Sequence, residues 1–164
     1  MSRFSRRPAK FWPALGFATL AGMRSMSAPA LLTHFLSHHP TRNLRFSKLR
    51  VLQKPLVATG FKLAAAGEMV MDKLPGTPDR TSPPVLLGRL LSGALVGATW
   101  YKARQGSSAK GAVVGGLGAV VATFISFGLR KGISEQTDTP IALVGVGEDA
   151  LVLGGGAALL QAVG

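Results

Sequence analysis

The chain has 164 residues, 47% apolar and only 16% charged, with no cysteine and a formal charge of +12. That length suits one domain; the missing cysteine excludes disulfides, thiolate metal sites and cysteine nucleophiles; and a mean hydropathy of +0.31 is high for a soluble surface. The positive charge does not point to nucleic acid, because the basic residues flank apolar runs and form no aromatic-interleaved patch or nucleic-acid fold motif.

Arg3, Arg6, Arg7 and Lys10 open the chain as a basic amino end, residues 1–10, ahead of the apolar run Phe11 to Gly22. A cleaved secretory signal has this layout, and Ala28-Pro29-Ala30 offers a small-residue cleavage site. Arg24, between the run and that site, is foreign to a signal. Segment 11–36 is therefore read as retained and interrupted at GMRSMSAP, where Gly22, Ser25, Ser27 and Pro29 loosen the helix.

Residues 40–54 carry Arg42, Arg45, Lys48, Arg50 and Lys54 without an acid, and they decide the topology. If 11–36 crossed a membrane, the flanking basic residues would divide eight against eight. If it dips in and returns, twelve lie inside and four (Lys73, Arg80, Arg130, Lys131) outside. Only the second obeys the cytoplasmic excess of Lys and Arg. Each limb is then a re-entrant half-helix of roughly 20 Å, too short to span, and the amino terminus is expected in the cytoplasm.

A helix is expected over 55–74, opened by Pro55 and carrying Lys62, Glu68 and Asp72. Glu68 and Asp72 are one turn apart on one face. Pro75, Gly76, Pro78, Pro83 and Pro84 then make a turn, and a returning helix is expected over 85–101, with Trp100 and Tyr101 at the inner boundary. Glu68 and Arg89 lie about equally far from the middle of that turn, so they should share a depth and partner each other.

Gly93 and Gly97, answered by Gly111 and Gly115 on a helix over 111–129, make strips on which helix backbones can approach closely. Such strips serve packing within one chain or homo-oligomerisation, and a homo-oligomer is expected. Lys102 to Lys110 reads as an inner loop and Arg130 to Thr139 as a short outer one. In the last segment, 140–163, the stretch GVGED either sits within a span or makes a second re-entrant element. Its adjacent acids, Glu148 and Asp149, are expected to face Arg24, a cavity or a cation.

No G-x-S-x-G elbow, H-E-x-x-H helix, phosphate-loop lysine or dinucleotide fingerprint is present, so neither an enzyme nor a cofactor is expected. His34, His38 and His39 read as interfacial residues rather than metal ligands. What remains is ionic: Arg24, Lys62 and Arg89 against Glu68, Asp72, Glu148 and Asp149. This set could line a polar pathway where helices break, as in a small transporter or channel. Arg24, Arg80 and Arg89 could instead grip a phosphate head group, or the charges could only fix packing in a structural or assembly protein. The first reading is preferred; the bilayer and a second copy are the expected partners.

Gly22-Met23-Arg24-Ser25 with Pro29, Gly67-Glu68 with Asp72-Lys73-Leu74-Pro75, Pro78-Asp79-Arg80, Arg89 with Gly93-Ala94 and Gly97-Ala98, and Glu148-Asp149 together resemble the bacterial membrane family catalogued as domain of unknown function 4126. The likeness runs over about residues 14 to 160. It implies an all-α, polytopic protein of the bacterial cytoplasmic membrane with three to five membrane helices. It supplies no reaction, cofactor or substrate.

Overall fold

Prolines and serines mark where four of the helices begin, at Ser27, Pro55, Pro83 and Ser108, and the computed structural model, which describes residues 10–71, 82–137 and 141–164, is helical throughout its regular elements. In order these are α1 (Phe11–Met23), α2 (Ser27–His38), 3-10 turns at Arg42–Leu44 and Lys48–Gln53, α3 (Pro55–Met71), α4 (Pro83–Ala103), α5 (Ser108–Thr137) and α6 (Ile141–Val163). Pro83 and Pro84 occupy the first turn of α4 after Ser82, where a missing N–H costs nothing. The helix therefore starts inside the expected turn and two residues before Val85.

Other boundaries also differ from the sequence reading: α4 ends at Ala103 and α5 starts at Ser108, so both reach into the expected inner loop Lys102 to Lys110. The first helical segment is interrupted only at Arg24 to Met26, and Pro29 sits in the first turn of α2. α5 continues through the expected outer loop to Thr137: no residue from Arg130 to Thr137 lacks an N–H, and Lys131 and Glu135 meet one turn apart at 3.9 Å. α6 passes through GVGED without a break, since glycine weakens a helix by about 1 kcal/mol but keeps its hydrogen bonds.

Both ends of the α1–α2 unit lie at the carboxyl end of α4. Lys10 Nζ donates to the Gln105 carbonyl at 3.3 Å and Asn43 Nδ2 to the Ala103 carbonyl at 2.7 Å. Phe17 of α1 and Phe35 of α2 flank Trp100, with ring centroids 5.6 and 6.3 Å away. The middle of the unit lies at the other end of α4, where Arg89 and Ser92 reach Gly22 and Ser25. α1 and α2 thus form an antiparallel hairpin with its tip at Arg24 to Met26. The core fills this hairpin: Phe17, Leu32, Leu36, Val96, Trp100 and Val152 are all buried. Trp100 is core, not an exposed belt residue.

α4 and α5 pack along a seam of glycine. A Cβ at Gly97 would run into the Gly111 carbonyl and lie 2.9 Å from the Gly115 Cα, and one at Gly93 would strike the Gly115 carbonyl. Backbone meets backbone here, which only glycine permits. The four glycines are therefore spent inside the chain, and any self-association uses other faces.

Candidate functional site: a charged layer at the hairpin tip

Breaking a helix strands carbonyls at the end of the first half and N–H groups at the start of the second, with partial negative and positive charge respectively. The chain answers each with a side chain of opposite sign. At the start of α2 the Glu68 carboxylate accepts from Ser25 N at 2.9 Å, Ser25 Oγ at 2.7 Å and Met26 N at 2.8 Å. At the end of α1 the Gly22 carbonyl accepts from Arg89 Nη1 and, at 3.1 Å, from Thr123 Oγ1. Ser92 Oγ donates to the Ser25 carbonyl between them.

Close approach at this point again rests on a small residue. A Cβ on Gly22 would collide with the Ala119 carbonyl of α5 and lie 2.6 Å from the Ala122 Cβ. Gly22 therefore lets its own carbonyl come within reach of Thr123.

Arg24, at the turn itself, is 1% exposed and points to α6, where its Nη2 lies 2.6 Å from Asp149 Oδ1. Glu148 turns the other way, with its Oε2 3.8 Å from Arg130 Nη1. Arg24, Arg89 and Arg130 thus stand against Glu68, Glu148 and Asp149, a set without net charge. Arg24 and Arg89 are fully buried while Glu68 is half-buried, so the layer opens toward the α3 flank. Such a layer can hold backbone apart from hydrocarbon and, at Glu68, exchange one carboxylate for another ligand of the same N–H groups.

The sequence reading placed these residues unevenly. Glu68 and Arg89 share a level but are not partners: helix ends of opposite sign lie between them, and each charge goes to the end that complements it. Arg24 meets Asp149 of the Glu148–Asp149 pair. Lys62 leaves the layer and lies 3.0 Å from His34 Nδ1, about 9 Å along α3 from Glu68. Asp72 and Arg80 lie outside the described residues. Of the proposed phosphate set, Arg24 faces Asp149 and Arg89 faces the Gly22 carbonyl.

Ser92, Thr123 and Arg130 were not singled out from sequence. Ser92 could have been, since it follows Arg89 by three positions and so shares its face. Thr123 is a hydroxyl in an otherwise apolar run, a weaker signal because such groups often bond their own helix, as this one also does to Ala119 at 2.8 Å.

The residues at the tip are those on which the family likeness rests, and the profile described as a domain of unknown function (DUF4126) matches residues 12–162. The chain belongs to the DUF4126 family. The match takes in all six α-helices nearly whole, so the hairpin, its caps and the glycine seam are all within the family domain. No curated protein and no solved structure matches the chain.

Proposed function

We propose that this DUF4126 protein is a polytopic membrane protein in which α1 and α2 form a re-entrant hairpin, α3 to α6 cross, and the charged tip is a small transport or channel-like site. Ser108–Gln136 and Leu143–Val163 are long and apolar enough to cross a membrane, and only 22% of each apolar window is buried. Core helices of a soluble protein would be covered. Here Val113, Leu117, Val121, Phe124, Leu151 and Leu153 face outward instead.

The helix lengths agree with that setting. From the end bearing Lys10 and Ala103, the tip lies about 20 Å away along α3, α4 and α6. α4 runs on by about 9 Å from Arg89 to Pro83, which completes a hydrocarbon depth of about 30 Å. The layer then sits past the midplane, and the end rich in Arg and Lys faces the cytoplasm of the cell's inner membrane.

The observation that carries the transport reading is the broken backbone. A bundle needing only stability would turn its helical hairpin in water, whereas this chain is read as turning it at depth and meets the two stumps with the Glu68 carboxyl and the Arg89 guanidinium. Half-helix ends at mid-membrane are the means by which transporters bind charged solutes. Reconstitution in proteoliposomes tests it: the wild type should carry ion or solute flux that Glu68→Gln abolishes while the protein remains folded. Equal flux in both, or none in either across anions, cations and protons, would reject it.

One observation favours a second reading, that of a structural or assembly protein. Glu68 holds three donors and Arg24 holds Asp149, as a fixed pin would. In that case Glu68→Gln lowers thermal stability and leaves no flux to lose.

A further inference from the structure

The loop between α2 and α3 is more tightly built than a connection requires. Leu44 and Leu52 are buried beneath it. The Thr41 N–H donates to Gln53 Oε1 at 2.6 Å, closing the loop on itself, and Asn43 ties it to the end of α4. Ser47 Oγ accepts from Leu49 N at 3.2 Å and starts the second 3-10 turn. With the leucines turned inward, the loop presents a fixed outer face.

That face is aromatic and basic. Phe46 is 96% exposed, the Arg45 guanidinium carbon stands 5.9 Å from its ring centroid, and Arg42, Lys48, Arg50 and Lys54 are exposed around it. No acidic side chain interrupts the run: the sequence has none from residue 1 to 67 or from 80 to 134. A single exposed aromatic is ordinary. One held outward by an ordered loop, inside a cluster of Arg and Lys, is the composition of segments that seat an apolar ring among acyl chains while cations meet lipid phosphates.

We propose that residues 41–54 form a binding site for anionic phospholipid head groups, with Phe46 inserted below the phosphates and Arg42, Arg45, Lys48 and Arg50 paired to them. The inference rests on the membrane reading above and adds a lipid class to it. Arg gives the site bidentate phosphate contacts, and the missing acids leave zwitterionic head groups with no partner for their ammonium.

The absence of cysteine allows a direct test. An environment-sensitive fluorophore is placed by maleimide on Phe46→Cys, and separately on Val121→Cys of the exposed face of α5, in vesicles of brominated phosphatidylglycerol or brominated phosphatidylcholine. The Val121 label should be quenched in both lipids. The Phe46 label should be quenched in phosphatidylglycerol only, less so at high salt, and Arg45→Gln or Arg50→Gln should each weaken the apparent phosphatidylglycerol affinity about fivefold.

A Phe46 label unquenched in phosphatidylglycerol while the Val121 label is quenched would overturn this proposal alone, as would equal quenching in both lipids. A Val121 label unquenched in either lipid would overturn the membrane reading and this proposal together. A Phe46 label that ignores both lipids but shifts on added RNA or acidic polypeptide would assign the face to a soluble polyanion and overturn it too.

Discussion

The hairpin tip and the α4–α5 seam hold helices together in opposite ways. Along the seam, Gly93, Gly97, Gly111 and Gly115 remove side chains until backbones touch, and no charge is involved. At the tip the backbone is interrupted, and Glu68, Arg89, Ser92 and Thr123 bind what the interruption exposes. A seam of that kind gains only contact, and it is rigid because nothing in it can be exchanged. The tip is held by groups that can let go, at the same level as the Arg24–Asp149 pair. The difference gives the seam a scaffolding part, and under the transport proposal any solute-dependent change belongs to the tip.

The comparison breaks most easily at the seam. Gly97→Leu should destabilise the protein by at least ~3 kcal/mol or prevent folding, since backbone cannot move aside as a side chain does. Gly128→Leu, where a Cβ meets nothing within 4 Å, should melt like the wild type in detergent. Similar melting of both variants would remove the seam from the account.

At the tip, Arg24→Met should cost about 3–5 kcal/mol by removing the guanidinium 2.6 Å from the buried Asp149 carboxylate, and adding Asp149→Leu should recover most of that loss. A double variant as unstable as the single one would show that the pair is not the partner set that matters. Glu68→Gln should cost less, about 1–3 kcal/mol, because an amide oxygen still accepts from the α2 N–H groups while its NH2 opposes them. Smallest is Ser92→Ala, which leaves the Ser25 carbonyl one donor short and should cost about 1 kcal/mol. These variants sharpen the comparison if Gly97→Leu changes stability alone and the tip variants also change flux.

Much of the scaffold could be read in the residues. Proline opens α3 and α4, the Gly-x-x-x-Gly spacing marks the seam, and the Gly-Met-Arg-Ser stretch marks the interruption, because each is a local property of side chains. The two ends of 11–36 meet at one end of the bundle, which is what the placement of Arg and Lys asks for. The partners at the tip were less legible. Glu68 and Arg89 looked like an ion pair because charges are visible in a sequence and helix termini are not; the N–H of Met26 and the carbonyl of Gly22 belong to every residue and gain meaning only once the chain breaks there. The same blindness hid Ser92 and Thr123, whose acceptors are backbone.

The central claim is that the α1–α2 hairpin returns to the side from which it enters, and accessibility of single cysteines tests it most directly. Lys10→Cys, Lys54→Cys and Gln136→Cys are made one at a time in the cysteine-free chain and exposed to a membrane-impermeant maleimide in sealed vesicles of one orientation. The account predicts that positions 10 and 54 label from the same side and position 136 from the other. Labelling of 10 and 136 from one side, with 54 opposite, would mean that residues 11–38 cross the membrane, and would contradict it.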